Sequence, residues 1–334
     1  MDIPSGLGYE RVKLTAMAHS IWVFLLILSF SIGPVTAAEK IRISVSGGYS
    51  MIFLSAGVAQ KKGFFQAEGL DGEIVVMRAA TSIAALSSGD IGYTMLTGSV
   101  IRAAIMGLPV RLVAGLMTSS PHLLLARPDI KSIKELRGKK VGLGAFGDAT
   151  HVLARMIIAR HGLDPDKEIQ FLAFGPDSGR FAALQQGLTD VVVTSPPFDF
   201  KGQKMGYNIL ARAYDYLNYP LSGLGASVKT IQQNPGQVKR VIKSLIKATR
   251  FIRENREEAV KVWVAWGKVE PEHGYASYDS TVKVMSNDGS IPADGLKLLM
   301  DVAKKDAKIS REIPMSDVAD FSILKEVQKE LGLD

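Results

Sequence analysis

The chain has 334 residues, of which 47% are hydrophobic and 22% are charged, a composition typical of globular proteins and excluding a disordered or fibrous chain. It contains no cysteine, which excludes disulfides, thiolate metal sites, cysteine nucleophiles and a lipid-modified N-terminal cysteine. The formal charge of +7 can favour anionic ligands but is too diffuse to predict nucleic-acid binding. At roughly 150 residues per domain, the length predicts two domains.

The first 38 residues have the order of a secretory signal. Arg11 and Lys13 precede an apolar run from Ile21 to Phe30, and small residues follow up to Ala38. This run is too short to span about 30 Å of hydrocarbon, so the pattern favours a cleaved signal over a membrane anchor. We expect residues 1–38 to be a signal peptide, and the rest to be a soluble periplasmic protein that is a monomer and not a lipoprotein.

A strand–helix alternation follows the signal. The predicted elements are, in order, a strand Ile41–Val45, a helix ending near Gly63, a strand Glu73–Met77, a short helix stopping at Gly89 and a strand Ile91–Met95. The strands have apolar or β-branched residues at alternating positions, and each glycine suits a helix C-terminus, where a positive φ favours glycine. This order predicts a βαβαβ unit.

The same alternation occurs a second time. Its predicted elements are a strand Lys140–Leu143, a helix Ala149–Arg160, a strand Ile169–Phe174, a short helix stopping at Gly187 and a strand Asp190–Thr194. Gly-Leu-Asp recurs after 93 residues and Ala-Ala-Leu-x-x-Gly after 98. Two such units predict two similar α/β lobes with parallel sheets. Because ligands of such sheets bind beyond the carboxyl ends of the strands, we expect the site in a cleft between the lobes.

Two stretches are predicted to cross between the lobes, Pro121–Arg127 and Tyr219–Val228. Residues 235–334 have a helical pattern interrupted by proline and glycine, and we expect this tail to complete the first lobe. The predicted boundaries therefore give a first lobe of residues 39–120 with 222–334, and a second lobe of residues 121–221.

Three segments carry a resemblance to a known family. Lys61–Asp71 reads KKGFFQAEGLD, Ala85–Ile91 reads ALSSGDI, and Pro128–Gly142 reads PDIKSIKELRGKKVG. In this order, they resemble segments of the periplasmic solute-binding proteins of nitrate/sulfonate/taurine-type ABC transporters, and the likeness extends from about residue 41 to 230.

The resemblance implies an α/β type II periplasmic binding fold, with two parallel-sheet lobes joined by two hinge strands and a helical C-terminal tail. It also implies a protein that is not an enzyme, which closes on a solute and docks on a membrane permease. The thiamine-pyrimidine synthases of the same fold group rely on a cysteine-rich motif, and its absence argues against that activity here.

The candidate ligand contacts lie in the turns after the strands and in the first crossing, since a helix N-terminus favours an anion. The resemblance implies contacts in the same turns. For each hydroxyl the alternative role is helix capping, and Arg78 is either a partner for a carboxylate or sulfonate or a surface residue. These turns and the positive charge favour a small organic anion. The candidates are Ser46, Tyr49, Arg78, Thr81, Ser82, Thr97, Ser99, Thr118, Ser119, Phe146, Asp148, Thr150, His151, Ser178, Thr194 and Ser195.

A G-x-G-x-x-G motif at Gly142, Gly144 and Gly147 follows a predicted strand and opens a helix, as in dinucleotide-binding proteins. The acid at Asp177 lies 30 residues beyond Gly147, whereas the fingerprint expects about 20, so the motif is interpreted as an anion-binding turn. A dinucleotide-binding oxidoreductase and an exported ligand-sensing module stay open as alternatives. We expect no cofactor, no metal and no nucleic-acid partner.

Overall fold

The computed structural model describes Met1, residues 37–46 and residues 50–333. The predicted signal peptide lies outside the described residues except for its two ends, and so does Tyr49. None of the described helices is both long and apolar enough to cross a membrane.

The first sheet has five strands in the order β2-β1-β3-β10-β4. They are β1 (Glu39–Val45), β2 (Leu70–Val76), β3 (Tyr93–Thr94), β4 (Val110–Gly115) and β10 (Gly223–Ser227). β1 pairs in parallel with β2 and β3, whereas β10 runs antiparallel to its neighbours β3 and β4.

The second sheet repeats this order as β7-β6-β8-β5-β9. Its strands are β5 (Leu123–Ala126), β6 (Lys140–Leu143), β7 (Gln170–Ala173), β8 (Val191–Thr194) and β9 (Asn208–Arg212). β6 is parallel to β7 and β8, and β5 is antiparallel to β8 and β9.

The expectation of purely parallel sheets is therefore wrong, because each sheet is mixed. The reason lies in the crossings. β4 and β9 both end at the gap between the sheets. The chain therefore enters the other sheet from the side of that gap. The strand that follows, β5 or β10, must run away from the gap and is antiparallel to the rest.

The strand register carries the internal repeat. Ser44 of β1 pairs with Thr94 of β3, and Gly142 of β6 pairs with Val192 of β8. Both members of the second pair lie 98 residues after those of the first, the spacing at which Ala-Ala-Leu-x-x-Gly recurs. The duplication predicted from the sequence is thus present in the sheets.

Helices cover both sheets and form the C-terminal tail. They are α1 (Leu54–Lys61), α2 (Phe64–Ala67), α3 (Ala79–Ser88), α4 (Thr97–Ile105), α5 (Ala149–Arg160), α6 (Asp177–Gln185), α7 (Phe198–Lys204), α8 (Val228–Gln233), α9 (Pro235–Glu254), α10 (Arg256–Gly267), α11 (Pro271–Thr281), α12 (Ala293–Asp306) and α13 (Ser322–Glu330).

The tail packs in two ways. Helix α9 buries Val241 and Leu245 in the same apolar cluster as Ile43 of β1. Helix α12 instead places Leu299 in a cluster that contains residues of both sheets. One tail helix therefore lies against both lobes, beside the gap between them.

Candidate functional site

A cavity of about 740 Å³ lies between the two sheets. The first lobe lines it with the turns after β1, β2 and β3, including Ser46, Ala79 and Thr97. The second lobe contributes the single turn from Phe146 to Ala149, and the second crossing and α12 complete the wall. The cavity therefore lies where the carboxyl ends of the first sheet's strands predicted it, but the second lobe supplies less of it than expected.

The start of helix α4 opens into this cavity. Leu96, Thr97, Gly98 and Ser99 all line it, and no side chain of the described residues caps this helix end. The first N–H groups of a helix have no intrahelical acceptor. The Thr97 hydroxyl is buried and has no hydrogen-bond partner among the described residues. This end of the cavity thus presents a set of unsatisfied donors.

Helix α3 also begins at the cavity, with Ala79 and Ala80 in its wall and no side chain capping its end among the described residues. Ser82, one turn further along, does not reach the cavity. Its hydroxyl lies 2.5 Å from that of Ser44 and 2.9 Å from that of Thr94, in a buried network. Ser82 therefore holds α3 against the sheet.

The glycine motif after β6 is filled by the chain's own side chains. Asp148 caps helix α5 by accepting from the N–H of His151, and it also accepts from the N–H of Ala145 at 2.9 Å. The N–H groups of Gly144 and Gly147 donate to Thr150 Oγ1 and His151 Nδ1. A carboxylate thus occupies the position that a pyrophosphate would take, and the interpretation of this motif as an anion-binding turn is wrong.

Steric contacts agree with this assignment. A Cβ at residue 144 would lie 2.4 Å from Asp148 Oδ2, so only glycine lets the capping carboxylate approach. The His151 ring is partly buried between Phe146 and Phe171. Burial lowers the pKa of His151, and the nearby Arg155 lowers it further, which keeps the ring neutral and able to accept from Gly147.

A buried charge cluster lies at the start of helix α6. Asp177 Oδ1 accepts from Arg180 Nη2 at 2.5 Å, from Thr194 Oγ1 at 2.8 Å and from the Ser195 N–H at 2.8 Å, and Oδ2 accepts from Ser195 Oγ at 3.0 Å. Burial alone would raise the pKa of Asp177, but Arg180, His122 and these donors lower it overall. Thr194 and Ser195 therefore bind a carboxylate of their own chain.

The cluster reaches the first crossing through His122. The ring is buried, and its Nδ1 forms a hydrogen bond of 2.7 Å with Ser120 Oγ. Its burial lowers the pKa, against an opposing effect of Asp177. The neutral ring thus hydrogen-bonds within the crossing and feels the charge of Asp177.

The two candidates in the first crossing also make contacts within the chain. Thr118 donates to the carbonyl of Val284 at 3.2 Å. Ser119 donates to the carbonyl of Leu217 at 2.8 Å, which ties the first crossing to the second. Both side chains therefore make structural hydrogen bonds and do not line the cavity.

Five of the sixteen candidates line the cavity, namely Ser46, Thr97, Ser99, Phe146 and Asp148. Arg78, Thr81 and Ser178 are exposed outside it, and the other described candidates make the contacts given above. Sequence reasoning missed the apolar residues of the cavity wall, because no sequence motif marks them. These residues include Phe53, Met106, Tyr219 and Leu299.

Charge is balanced at the mouth of the cavity. Arg102 of α4 lines it and pairs with Asp306 of α12 at 2.9 Å. Among the described residues there is no group of His, Asp and Glu that could hold a metal ion. The cavity therefore combines a polar end at α4 with a largely apolar body.

Comparison with known proteins identifies the architecture. A family model described as "NMT1/THI5 like" matches residues 53–259. The chain is 26% identical over 235 residues to the riboflavin-binding protein RibY of Chloroflexus aurantiacus, a match covering 66% of this chain and 64% of RibY, so it spans less than two thirds of that relative.

Solved structures share the fold. The periplasmic aliphatic sulphonate-binding protein SsuA of Escherichia coli has a TM-score of 0.69 at 20% identity, covering 84% of this chain and 92% of SsuA. The periplasmic nitrate-binding protein NrtA of Synechocystis PCC 6803 has a TM-score of 0.71 at 14% identity, covering 89% and 90%. The fold is thus the two-lobed α/β fold of periplasmic binding proteins.

Proposed function

The chain belongs to the NMT1/THI5-like family, and we propose that it binds a small organic solute in the cleft between its lobes and delivers it to the permease of an ABC importer. In this proposal residues 1–38 are a cleaved export signal, the protein acts as a monomer in the periplasm, and it is not an enzyme. The family resemblance and the binding proteins that share its fold support this assignment.

One observation carries the proposal. The uncapped start of helix α4 lines the cavity, and the Thr97 hydroxyl beside it is buried and has no hydrogen-bond partner among the described residues. A buried donor without an acceptor costs about 1–3 kcal/mol, so a site of this kind is stabilised when a ligand supplies the acceptor. The solute's polar end binds here, and the lobes close on the rest of it.

The dinucleotide alternative has little support in the site. Asp148 holds the start of α5 and its side chain satisfies the loop N–H groups there. Asp177, the acid that would bind the ribose, is paired with Arg180. A sensing module and an importer component would share the same cleft, and neighbouring genes for a permease and ATPase or for a kinase distinguish them.

Isothermal titration calorimetry with nitrate, taurine, propionate and 2-naphthoate tests the binding function. We expect one saturable site per chain for at least one of these solutes. Thr97→Val keeps the shape of the side chain and removes its hydroxyl, so it weakens that binding about fivefold, the loss of roughly 1 kcal/mol from one hydrogen bond. Unchanged affinity in Thr97→Val would place the polar end elsewhere.

A further inference from the structure

We infer that the solute is a ring-bearing carboxylic acid, whose carboxylate binds at the start of α4 in the way that the Asp177 carboxylate binds in the second lobe. This inference rests on the proposed function, because it names the solute class of the same cleft.

The internal repeat aligns the two sites. At the spacing of 98 residues that the strand register and the Ala-Ala-Leu-x-x-Gly words share, Thr97 corresponds to Ser195 and Ala79 corresponds to Asp177. Thr97 begins helix α4 after the third strand, and Ser195 lies in the turn three residues before helix α7. Ala79 and Asp177 are the first residues of α3 and α6. The second lobe therefore shows what the first-lobe site can hold.

In the second lobe the site is occupied by the chain itself. The Asp177 carboxylate accepts from both the N–H and the hydroxyl of Ser195. In the first lobe the methyl group of Ala79 replaces that carboxylate, and the Thr97 hydroxyl has no partner among the described residues. Ala79 and Thr97 both line the cavity. A carboxylate brought by the solute can take the place of the absent Asp177 carboxylate and accept from the uncapped N–H groups at the start of α4.

The charge environment limits the anionic group of the solute to a single negative charge. Ser82 stands 98 residues before Arg180, and its hydroxyl is committed to Ser44 and Thr94. No guanidinium of the described residues therefore takes the place of Arg180. Arg102 lines the cavity but is paired with Asp306. The N–H groups and dipoles of α3 and α4 remain, and these stabilise a single negative charge.

The remainder of the cavity favours an apolar group on the part of the solute that lies beyond its carboxylate. A volume of about 740 Å³ is in the range of sites for drug-sized ligands, and a nitrate or taurine would leave most of it to water. Met106 and Phe146 line it from opposite lobes, and each is 62% exposed. Exposed apolar groups on both sides of a cavity favour an apolar ligand, and an aromatic ring supplies a large apolar area with few rotatable bonds.

Calorimetry with three probes separates the two parts of this inference. 2-Naphthoate carries a ring and a carboxylate, propionate has the carboxylate alone, and 2-naphthamide is the uncharged analogue. We expect 2-naphthoate to bind at least tenfold more tightly than propionate, since burying the ring atoms alone accounts for a factor of this size. It should also bind more tightly than 2-naphthamide, because a helix N-terminus favours a negative charge. Equal affinity for propionate would contradict the requirement for a ring. Equal affinity for 2-naphthamide would contradict the requirement for a carboxylate.

A substitution can make the first lobe copy the second. Ala79→Asp places a carboxylate beside the Thr97 hydroxyl, and we expect it to lower the affinity for 2-naphthoate at least tenfold without lowering the unfolding temperature. Ala84→Asp adds the same charge to an exposed position of α3 outside the cavity wall, and affinity should stay within twofold. Full binding by Ala79→Asp would contradict the inference.

A second pair of variants tests the apolar residues Met106 and Phe146 of the cavity wall. Phe146→Ala should weaken 2-naphthoate several-fold and leave propionate unchanged, whereas Met205→Ala, an exposed apolar residue away from the cavity, should alter neither. If 2-naphthoate fails to bind, the solute class is wrong. The proposed function then stands or falls separately on the binding of nitrate, taurine and propionate.

Discussion

The two lobes have the same strand order and differ in what fills the ends of their helices. In the second lobe Asp148 caps α5, and Asp177 at the start of α6 accepts from Ser195. The first-lobe residues 98 positions earlier are Ser50, Ala79 and Thr97. Ser50 makes no capping bond, Ala79 offers no acceptor, and the Thr97 hydroxyl is unpartnered among the described residues.

Under the proposed function, this difference divides two tasks between the copies of one repeated scaffold. Where acidic side chains satisfy the donors, as in the second lobe, the polar groups stabilise the fold. Where small or neutral residues replace them, as in the first lobe, the same donors stay open to a solute. The polar part of recognition should therefore depend on the first lobe, while the stability of the helix starts depends on the second.

The largest expected effect is on stability. Asp177→Ala gives the second lobe the alanine of the first and leaves the buried Arg180 without its partner, which should lower the free energy of unfolding by about 3 kcal/mol. Urea-induced unfolding measures this loss. Asp129→Ala removes an exposed partner of Arg127 and should cost less than about 1 kcal/mol. An equal cost for both substitutions would contradict a structural role for Asp177.

Chemical rescue sharpens the same comparison. If Asp177→Ala vacates a carboxylate site, acetate should restore part of the lost stability relative to chloride at the same ionic strength. It should stabilise the variant more than the unchanged protein. No difference between the two salts would mean that the vacated position cannot bind a carboxylate.

The second expected effect is on pH dependence. Burial lowers the pKa of His122 in the folded protein, whereas an unfolded histidine takes up a proton near pH 6.5. The unfolded state thus binds more protons below that pH, and the free energy of unfolding falls as the pH decreases, by at most about 1.4 kcal/mol per pH unit for one group. His122→Gln should flatten this slope between about pH 6.5 and 5, measured by urea unfolding at each pH.

The smallest expected effect compares two corresponding hydroxyls. Ser195→Ala removes a bond to the Asp177 carboxylate and should cost about 1 kcal/mol of unfolding free energy. Thr97→Val removes a hydroxyl with no partner among the described residues and should cost nothing or add stability. Equal losses in the two variants would show that Thr97 also has a structural partner.

Much of the fold was predictable because local signals agree with tertiary structure. β6 and α5 have the predicted bounds, since a glycine turn and the capping Asp148 mark the start of the helix. Helix α4 was not predicted, and β10 was expected only as a hinge strand within the crossing Tyr219–Val228. β10 contains Gly223 and Gly225, which have low strand propensity, but a Cβ at residue 225 would lie 2.4 Å from Val100. The close packing of α4 on the sheet therefore explains why glycine occupies this strand despite its low strand propensity.

The site was predictable only as a set of turns. Which hydroxyls are free depends on pairs that are far apart in sequence, such as Asp177 with Ser195 and Ser82 with Thr94. Leu299 of the tail lines the cavity because α12 packs against both lobes, and no local signal indicates this. One clue was available, since the repeat already placed acids at 148 and 177 against Ser50 and Ala79.

The most direct test is the amide spectrum of ¹⁵N-labelled protein titrated with 2-naphthoate. A hydrogen bond from an N–H to a carboxylate moves that amide proton downfield. We expect the amides of Gly98 and Ser99 to move further downfield with 2-naphthoate than with 2-naphthamide, which carries the same ring, and those of Gly144, Ala145 and Gly147, whose acceptors are Thr150, Asp148 and His151, to show no such difference. Downfield shifts confined to the second-lobe turn would contradict the assignment of the solute's polar end to α4.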